Sequence, residues 1–211
     1  QASQLNAKVL LYLHGNAINI GANVVQAHRF HQLGFSVLLV DYRGYGRSEG
    51  GFPTESRVYQ DAATAWDYLV YQRKIPPSQI FIYGHSLGGA VAIDLALKHP
   101  DAAGLIVESS FTSIRKVVAY RNNFWMFPVD SILTQHFDSI RKVPNLKIPV
   151  LFIHGTADAI VPAFMSEDLY AAAPEPKKLV LVPGAAHNNV AEVAASVYLE
   201  AVRSFVISTE S

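Results

Sequence analysis

Ile80-Phe81-Ile82-Tyr83-Gly84-His85-Ser86-Leu87-Gly88-Gly89 reads as a buried strand that turns abruptly into a helix. Four apolar residues give way to glycine, and the apolar segment Leu87–His99 then runs to Pro100, which cannot continue a helical ladder. A strand that becomes a helix within about two residues strains the backbone at the corner, here Ser86. Residues two before and two after the corner approach closely, so both must lack a side chain. Gly84 and Gly88 meet that need, and Gly89 extends the close contact of helix and strand. The corner lifts the Ser86 hydroxyl clear and aims the Leu87 N–H, at a helix N-terminus, towards the oxygen of a reacting carbonyl. Gly-x-Ser-x-Gly also occurs by chance as an ordinary turn; the strand before it and the helix after it give it chemical meaning.

Five further apolar runs flank this one: Val9–Leu13, Val37–Val40, Leu105–Val107, Val150–Ile153 and Leu179–Val182. None alternates polar with apolar residues, so each reads as a strand covered on both faces of a parallel sheet. Stretches long enough for crossover helices separate most of them, which predicts a doubly wound, mostly parallel α/β sheet. Val58, Ala62, Ala65, Trp66 and Leu69 lie at helical spacing within Glu55–Tyr71. The same spacing over Val190, Val193, Ala194, Val197, Tyr198, Ala201, Val202 and Phe205 predicts one amphipathic helix with a single apolar stripe. The 211 residues contain no repeat or linker and read as one domain, 1–211. Only 16% are charged, against a usual share of about 25%, as suits strands buried on both faces.

The connection from Val107 to Val150 exceeds what one crossover helix needs. It carries Tyr120, Phe124, Trp125, Met126, Phe127 and Phe137, and Thr112–Lys147 is read as a short helical lid over the catalytic edge. Tyr120, Phe124, Trp125 and Phe127 would then wall a substrate pocket. Packing of these aromatics as an extra helix on the core is the competing reading.

Composition excludes several functions. Seventeen basic residues balance seventeen acidic ones, so no overall field attracts nucleic acid. With no cysteine, disulfides, thiolate chemistry and cysteine-based metal sites are ruled out. No apolar run reaches the roughly 18 residues of a membrane span. Because the chain starts at Gln1 rather than Met, an upstream signal or anchor is left open, and with it a cytoplasmic or membrane-associated location.

A serine hydroxyl needs a base, and the base needs an orienting acid. Both should follow parallel strands, where loops gather above the sheet. His154-Gly155-Thr156-Ala157-Asp158 follows Val150–Ile153, and Pro183-Gly184-Ala185-Ala186-His187 follows Leu179–Val182. Ser86 is thus read as nucleophile, His187 as base and Asp158 as orienting acid.

In this Ser, Asp, His order the chain resembles the α/β-hydrolase superfamily, a resemblance running from about Val9 to Phe205. Leu13-His14-Gly15-Asn16 and Asp41-Tyr42-Arg43-Gly44-Tyr45-Gly46-Arg47-Ser48 extend it. Together they are similar to the short-lid branch of serine-aminopeptidase-like and dienelactone-hydrolase-like proteins, related to depalmitoylating thioesterases. The resemblance implies that the Asn16 backbone N–H joins that of Leu87 in an oxyanion hole. It also implies two strands before the one ending in His-Gly. Only Gln1–Lys8 precede it here, so the six strands fit the family's third to eighth.

Other candidates are set aside. Glu108 follows a strand and could supply the acid, but the Asp158 loop fits the pattern better, leaving Glu108 as a supporting hydrogen-bonding group. His14 stabilises its loop, and His85 lies inside the corner. His28 and His31, i and i+3 on a helix, lack a further ligand and read as a polar face rather than a metal pair. Asp61 and Asp67 read as solvated or locally paired charges, and Ser48 and Ser110 sit in no such corner.

The expected chemistry is hydrolysis of a small-molecule carboxylic ester or thioester through an acyl-enzyme on Ser86, with no metal or organic cofactor. A histidine base implies loss of activity on the acid side of neutrality. An aminopeptidase or amidase with the same residues is the rival enzyme. A catalytically silent binding protein of the same fold is the rival from another class.

Overall fold

Strands made of unbroken Val, Leu and Ile can exist only where something covers each face, and the architecture supplies both covers. The computed structural model describes residues 8–16, 19–121 and 135–209. Strands β1 (Val9–Leu13), β2 (Ser36–Val40), β3 (Ile80–His85), β4 (Gly104–Glu108), β5 (Val150–Gly155) and β6 (Lys177–Val182) form one sheet. Their order is β2-β1-β3-β4-β5-β6, with every neighbouring pair parallel. Val9, Leu11 and Leu13 of β1 enter the core shared with α2 (Glu55–Asp67) and α3 (Leu87–Lys98). The alternate residues Leu10 and Tyr12 enter the core under α1 (Val24–Gln32) and the C-terminal helix Ala195–Ser208. Two-faced burial holds for the four central strands. It weakens at the edges, where β2 is mostly half-buried and only Val182 of β6 is fully buried, because an edge strand has a neighbour on one side only.

The chain leaves β1 for β2 on one side and returns to β3 on the other. At this switch point the connections after β1 and β3 lead to helices on opposite faces of the sheet, and the carboxyl ends of strands at such a point are the usual ligand site of these folds.

Helix α2 starts where the Thr54 hydroxyl accepts from the Arg57 N–H, and Val58, Ala62, Ala65, Trp66 and Leu69 are all buried as their spacing predicts. The C-terminal segment differs from expectation. A turn Val190–Val193 is separated from Ala195–Ser208 by Ala194, whose φ of −138° and ψ of 60° break the helix. The predicted single stripe is therefore split: Val190, Tyr198, Ala201, Val202 and Phe205 are buried, but Val193 and Val197 are 49% and 51% exposed.

Between β4 and β5 lie α4 (Ile114–Arg121), a turn Ser139–Lys142 and a 3-10 turn Val143–Asn145. Phe137 is buried in a T-shaped contact with the Tyr59 ring and belongs to the core. Phe124, Trp125, Met126 and Phe127 lie outside the described residues. No helix among the described residues is long and apolar enough to cross a membrane.

Candidate active site

Ser86 occupies the corner between β3 and α3 with φ 54° and ψ −118°, a conformation that costs an ordinary residue roughly 1–3 kcal/mol. Neighbouring bonds hold it there. Its N–H donates to Glu108 O at 2.9 Å, and the Ser110 hydroxyl donates to its carbonyl at 2.8 Å. The glycines are needed as expected, with a refinement. A Cβ on Gly84 would overlap the Gly88 carbonyl, whereas one on Gly88 would strike the Leu13 carbonyl of β1. Gly88 thus lets α3 settle against the neighbouring strand as well as its own.

His187 and Asp158 come from the loops after β6 and β5, which are stitched together. The Ala157 N–H donates to Ala185 O, the Thr156 N–H to Val182 O, and the Gly184 N–H to the Thr156 hydroxyl. The Ala186 N–H donates to Asn189 Oδ1, and His85 Nε2–H donates to His187 O at 3.0 Å, fixing the loop from both sides. The Ser86 hydroxyl then lies 3.0 Å from His187 Nε2, and His187 Nδ1–H donates to Asp158 Oδ2 at 2.6 Å. The structure brings these three side chains into one chain of hydrogen bonds.

Asp158 is buried, and burial alone would raise its carboxyl. Hydrogen bonds from His154 and His187 outweigh it and hold the group well below the usual carboxylate range. Its other oxygen, Oδ1, accepts from the Ile160 and Val161 amides, each at 2.8 Å. The result is an ionised acceptor with a fixed direction. His85 is pushed down by burial and stays neutral near neutrality, with its single N–H given to that carbonyl.

Asn16 and Leu87 follow β1 and β3, whose register pairs Leu13 with Gly84. Each therefore stands three residues past the last matched pair. The Leu87 N–H, first of α3, is a helix-start amide with no intrahelical acceptor. The turn carrying Asn16 is held from the loop after β2. The Tyr45 hydroxyl donates to Asn16 Oδ1 at 2.5 Å, that of Tyr42 donates to His14 O, and the His14 ring packs against both tyrosines. His14 Nδ1 contacts Gly15 O, and its Nε2 lies 3.2 Å from Asp41 Oδ1 without hydrogen-bond alignment. His14 serves its loop, as expected. Asp41 also accepts from the Ile20 N–H.

Tyr120, the one described member of the expected pocket wall, is 60% exposed and edges onto Phe164. Glu108 accepts from Tyr83 and Tyr198. His28 faces Gln32, and His31 hydrogen-bonds Phe35 O, with their rings 6.4 Å apart. Asp61 pairs with Arg43 at 2.6 Å. Sequence reasoning missed the supporting contacts of His154 and Ser110. The i, i+4 spacing of His154 and Asp158 was visible, whereas nothing local marks Ser110 as a partner of Ser86.

Residues 4–141 and 131–194 match the family model for Hydrolase_4, serine aminopeptidase S33. The chain belongs to this family of α/β-hydrolases. It is 42% identical over 200 residues to an uncharacterized protein of Mycobacterium tuberculosis, spanning 95% of this chain and 70% of that protein. It is 35% identical over 210 residues to the human alpha/beta hydrolase domain-containing protein 17B, spanning 95% and 67%. The aho-3 protein of Caenorhabditis elegans, another alpha/beta hydrolase domain-containing protein, is 36% identical over 199 residues, and the chain spans only 57% of it. Among solved structures, the Pyrococcus furiosus esterase Pf2001 superposes with a TM-score of 0.78 at 19% identity, covering 97% of this chain and 84% of that one. A soluble variant of monoglyceride lipase from Saccharomyces cerevisiae superposes with a TM-score of 0.74 at 18% identity, covering 96% and 87%. At these identities the shared feature is the fold.

Proposed function

We propose that the protein is a serine hydrolase that cleaves a carboxylic ester or thioester through an acyl-enzyme on Ser86. The observation that carries this reading is the unbroken chain Ser86 Oγ, His187 Nε2, His187 Nδ1, Asp158 Oδ2, with heavy-atom separations of 3.0 and 2.6 Å at its hydrogen bonds. In this reading His187 takes the Ser86 proton as the hydroxyl attacks the acyl carbonyl, and Asp158 stabilises the imidazolium that forms. The oxyanion rests on the Leu87 and Asn16 backbone amides, which need no reorganisation as charge develops. His187 then protonates the leaving alcohol or thiol. Water, activated by the same imidazole, attacks the acyl-enzyme and releases the acid.

A second reading, aminopeptidase or amidase, draws on the serine aminopeptidase description of the family model, since the same three side chains can serve a peptide bond. Labelling with a fluorophosphonate probe tests the shared part. The wild type should be modified on Ser86 and Ser86→Ala should not; a folded wild type that resists the probe would return the protein to the binding class. Nitrophenyl esters and thioesters of graded chain length, set against aminoacyl anilides, then separate the two enzyme readings.

A further inference from the structure

His154, the last residue but one of β5, has 0% exposure, yet the mechanism above gives it no part. Its Nε2 faces two acceptors, Asp158 Oδ2 at 3.1 Å and Val161 O at 2.9 Å, and its Nδ1 lies 2.6 Å from Ser166 Oγ. A nitrogen facing two acceptors must carry the proton. In the neutral ring Nδ1 is then left to accept from the Ser166 hydroxyl. Asp158 Oδ2 is thus shared between two imidazoles, while Oδ1 is taken up by backbone amides. Two serine–histidine arms meet on one oxygen, Ser86–His187 at the rim and Ser166–His154 in the core.

A carboxylate oxygen that already accepts a second hydrogen bond is a weaker base towards the first donor and is fixed in direction. We infer that His154 is a positioning residue of the catalytic centre, holding the Asp158 carboxylate aimed at His187, with Ser166 fixing the tautomer that lets it do so. The inference rests on the hydrolytic reading of Ser86, His187 and Asp158. The titratable groups around the cluster are Asp158 and His187 from the loops after β5 and β6, His85 from the end of β3 with its ring 5.0 Å from that of His187, and Glu108 from the end of β4. The helix Phe164–Ala172 contributes Ser166, while its Asp168 turns outward to Lys116.

His154→Gln, His154→Asn and Ser166→Ala, made in the whole chain, test this. A glutamine amide nitrogen reaches about as far as Nε2, whereas asparagine reaches only as far as Nδ1. Fluorophosphonate labelling of Ser86 should stay within about threefold of wild type in the glutamine variant and fall about tenfold or more in the asparagine variant, the scale on which loss of a supporting partner is felt. By NMR, the titration midpoint of His187 should move upward in His154→Asn and hold in His154→Gln, because Asp158 with one donor fewer is the stronger partner. Equal loss of labelling in both variants, or an unmoved His187 midpoint in His154→Asn, would show that His154 only packs the loop. If neither folds, Ser166→Ala decides, since it removes a single hydroxyl. It should slow labelling a few-fold and shift the His154 ring nitrogens, and no change in either overturns the inference. Should the wild type itself escape the probe, the hydrolytic reading fails separately, and the NMR midpoints still judge the coupling of His154 to His187 through Asp158.

Discussion

Two carboxylates end neighbouring strands, Glu108 on β4 and Asp158 just beyond β5, and both are nearly buried, at 4% and 8% exposure. Their partners differ in kind. Glu108 Oε2 accepts from the Tyr83 and Tyr198 hydroxyls at 2.8 and 2.7 Å, whereas Asp158 Oδ2 faces two imidazoles. Burial and the nearby Glu108 charge push both phenols well above their ordinary value, so they donate without exchanging protons near neutrality. Imidazoles change state in that range. The same functional group therefore serves as a structural anchor on one strand and, in the mechanism proposed above, as the support of a proton-accepting imidazole on the next. What a buried acid does is decided by whether its partners can take up a proton.

The strongest way to break this contrast is to neutralise each acid in turn. Asp158→Asn should lower kcat/KM for an activated ester by about 10⁴-fold while the protein remains folded by circular dichroism. Glu108→Gln should leave kcat/KM within about threefold of wild type; a comparable loss from Glu108→Gln would move the acid to β4. The same Glu108→Gln protein should unfold in urea with about 2 kcal/mol less stability, because two buried hydroxyls lose a charged acceptor. Tyr198→Phe leaves the Glu108 carboxylate in place and removes one of the two hydroxyls that donate to it, so it should cost about 1 kcal/mol in the same assay. If Tyr198→Phe matched or exceeded Glu108→Gln, the anchor would lie in the tyrosine rather than the acid.

The smallest effect concerns His85, which feels both carboxylates. Burial lowers its pKa, and Glu108 and Asp158 only partly offset that. The folded protein therefore keeps His85 neutral while the unfolded chain binds a proton below about pH 6.5. Stability should be level well above that point and decline as pH falls through it to 6, by under about 1 kcal/mol from this group. His85→Gln should flatten that part of the thermal midpoint profile, and a midpoint that rises with acid would contradict the assignment.

The central strands and the Ser86 corner were legible in the sequence because burial on both faces removes polar alternation and because Gly84 and Gly88 leave a fixed mark. The break at Ala194 was not. Val193 and Val197 are apolar and in phase with the stripe, and nothing in spacing tells an exposed valine from a buried one. The candidate site was readable as a list of residues, one beyond each of three strands. What escaped was their support. Ser110 reaches Ser86 because register sets the end of β4 beside that of β3, and His85 meets the carbonyl of His187 across more than a hundred positions, a pairing that no local pattern announces.

Ser86 and His187 stand 101 positions apart and meet only through loops carried by different parallel strands. In the proposed mechanism such an arrangement makes covalent reactivity a clock for refolding. Helices and local turns can return quickly, but the Ser86 hydroxyl regains its His187 partner only after the last strand has docked and its loop has closed on that of β5. Probe labelling recovered after dilution from denaturant should therefore trail the return of far-ultraviolet ellipticity, and the lag would time the completion of the sheet.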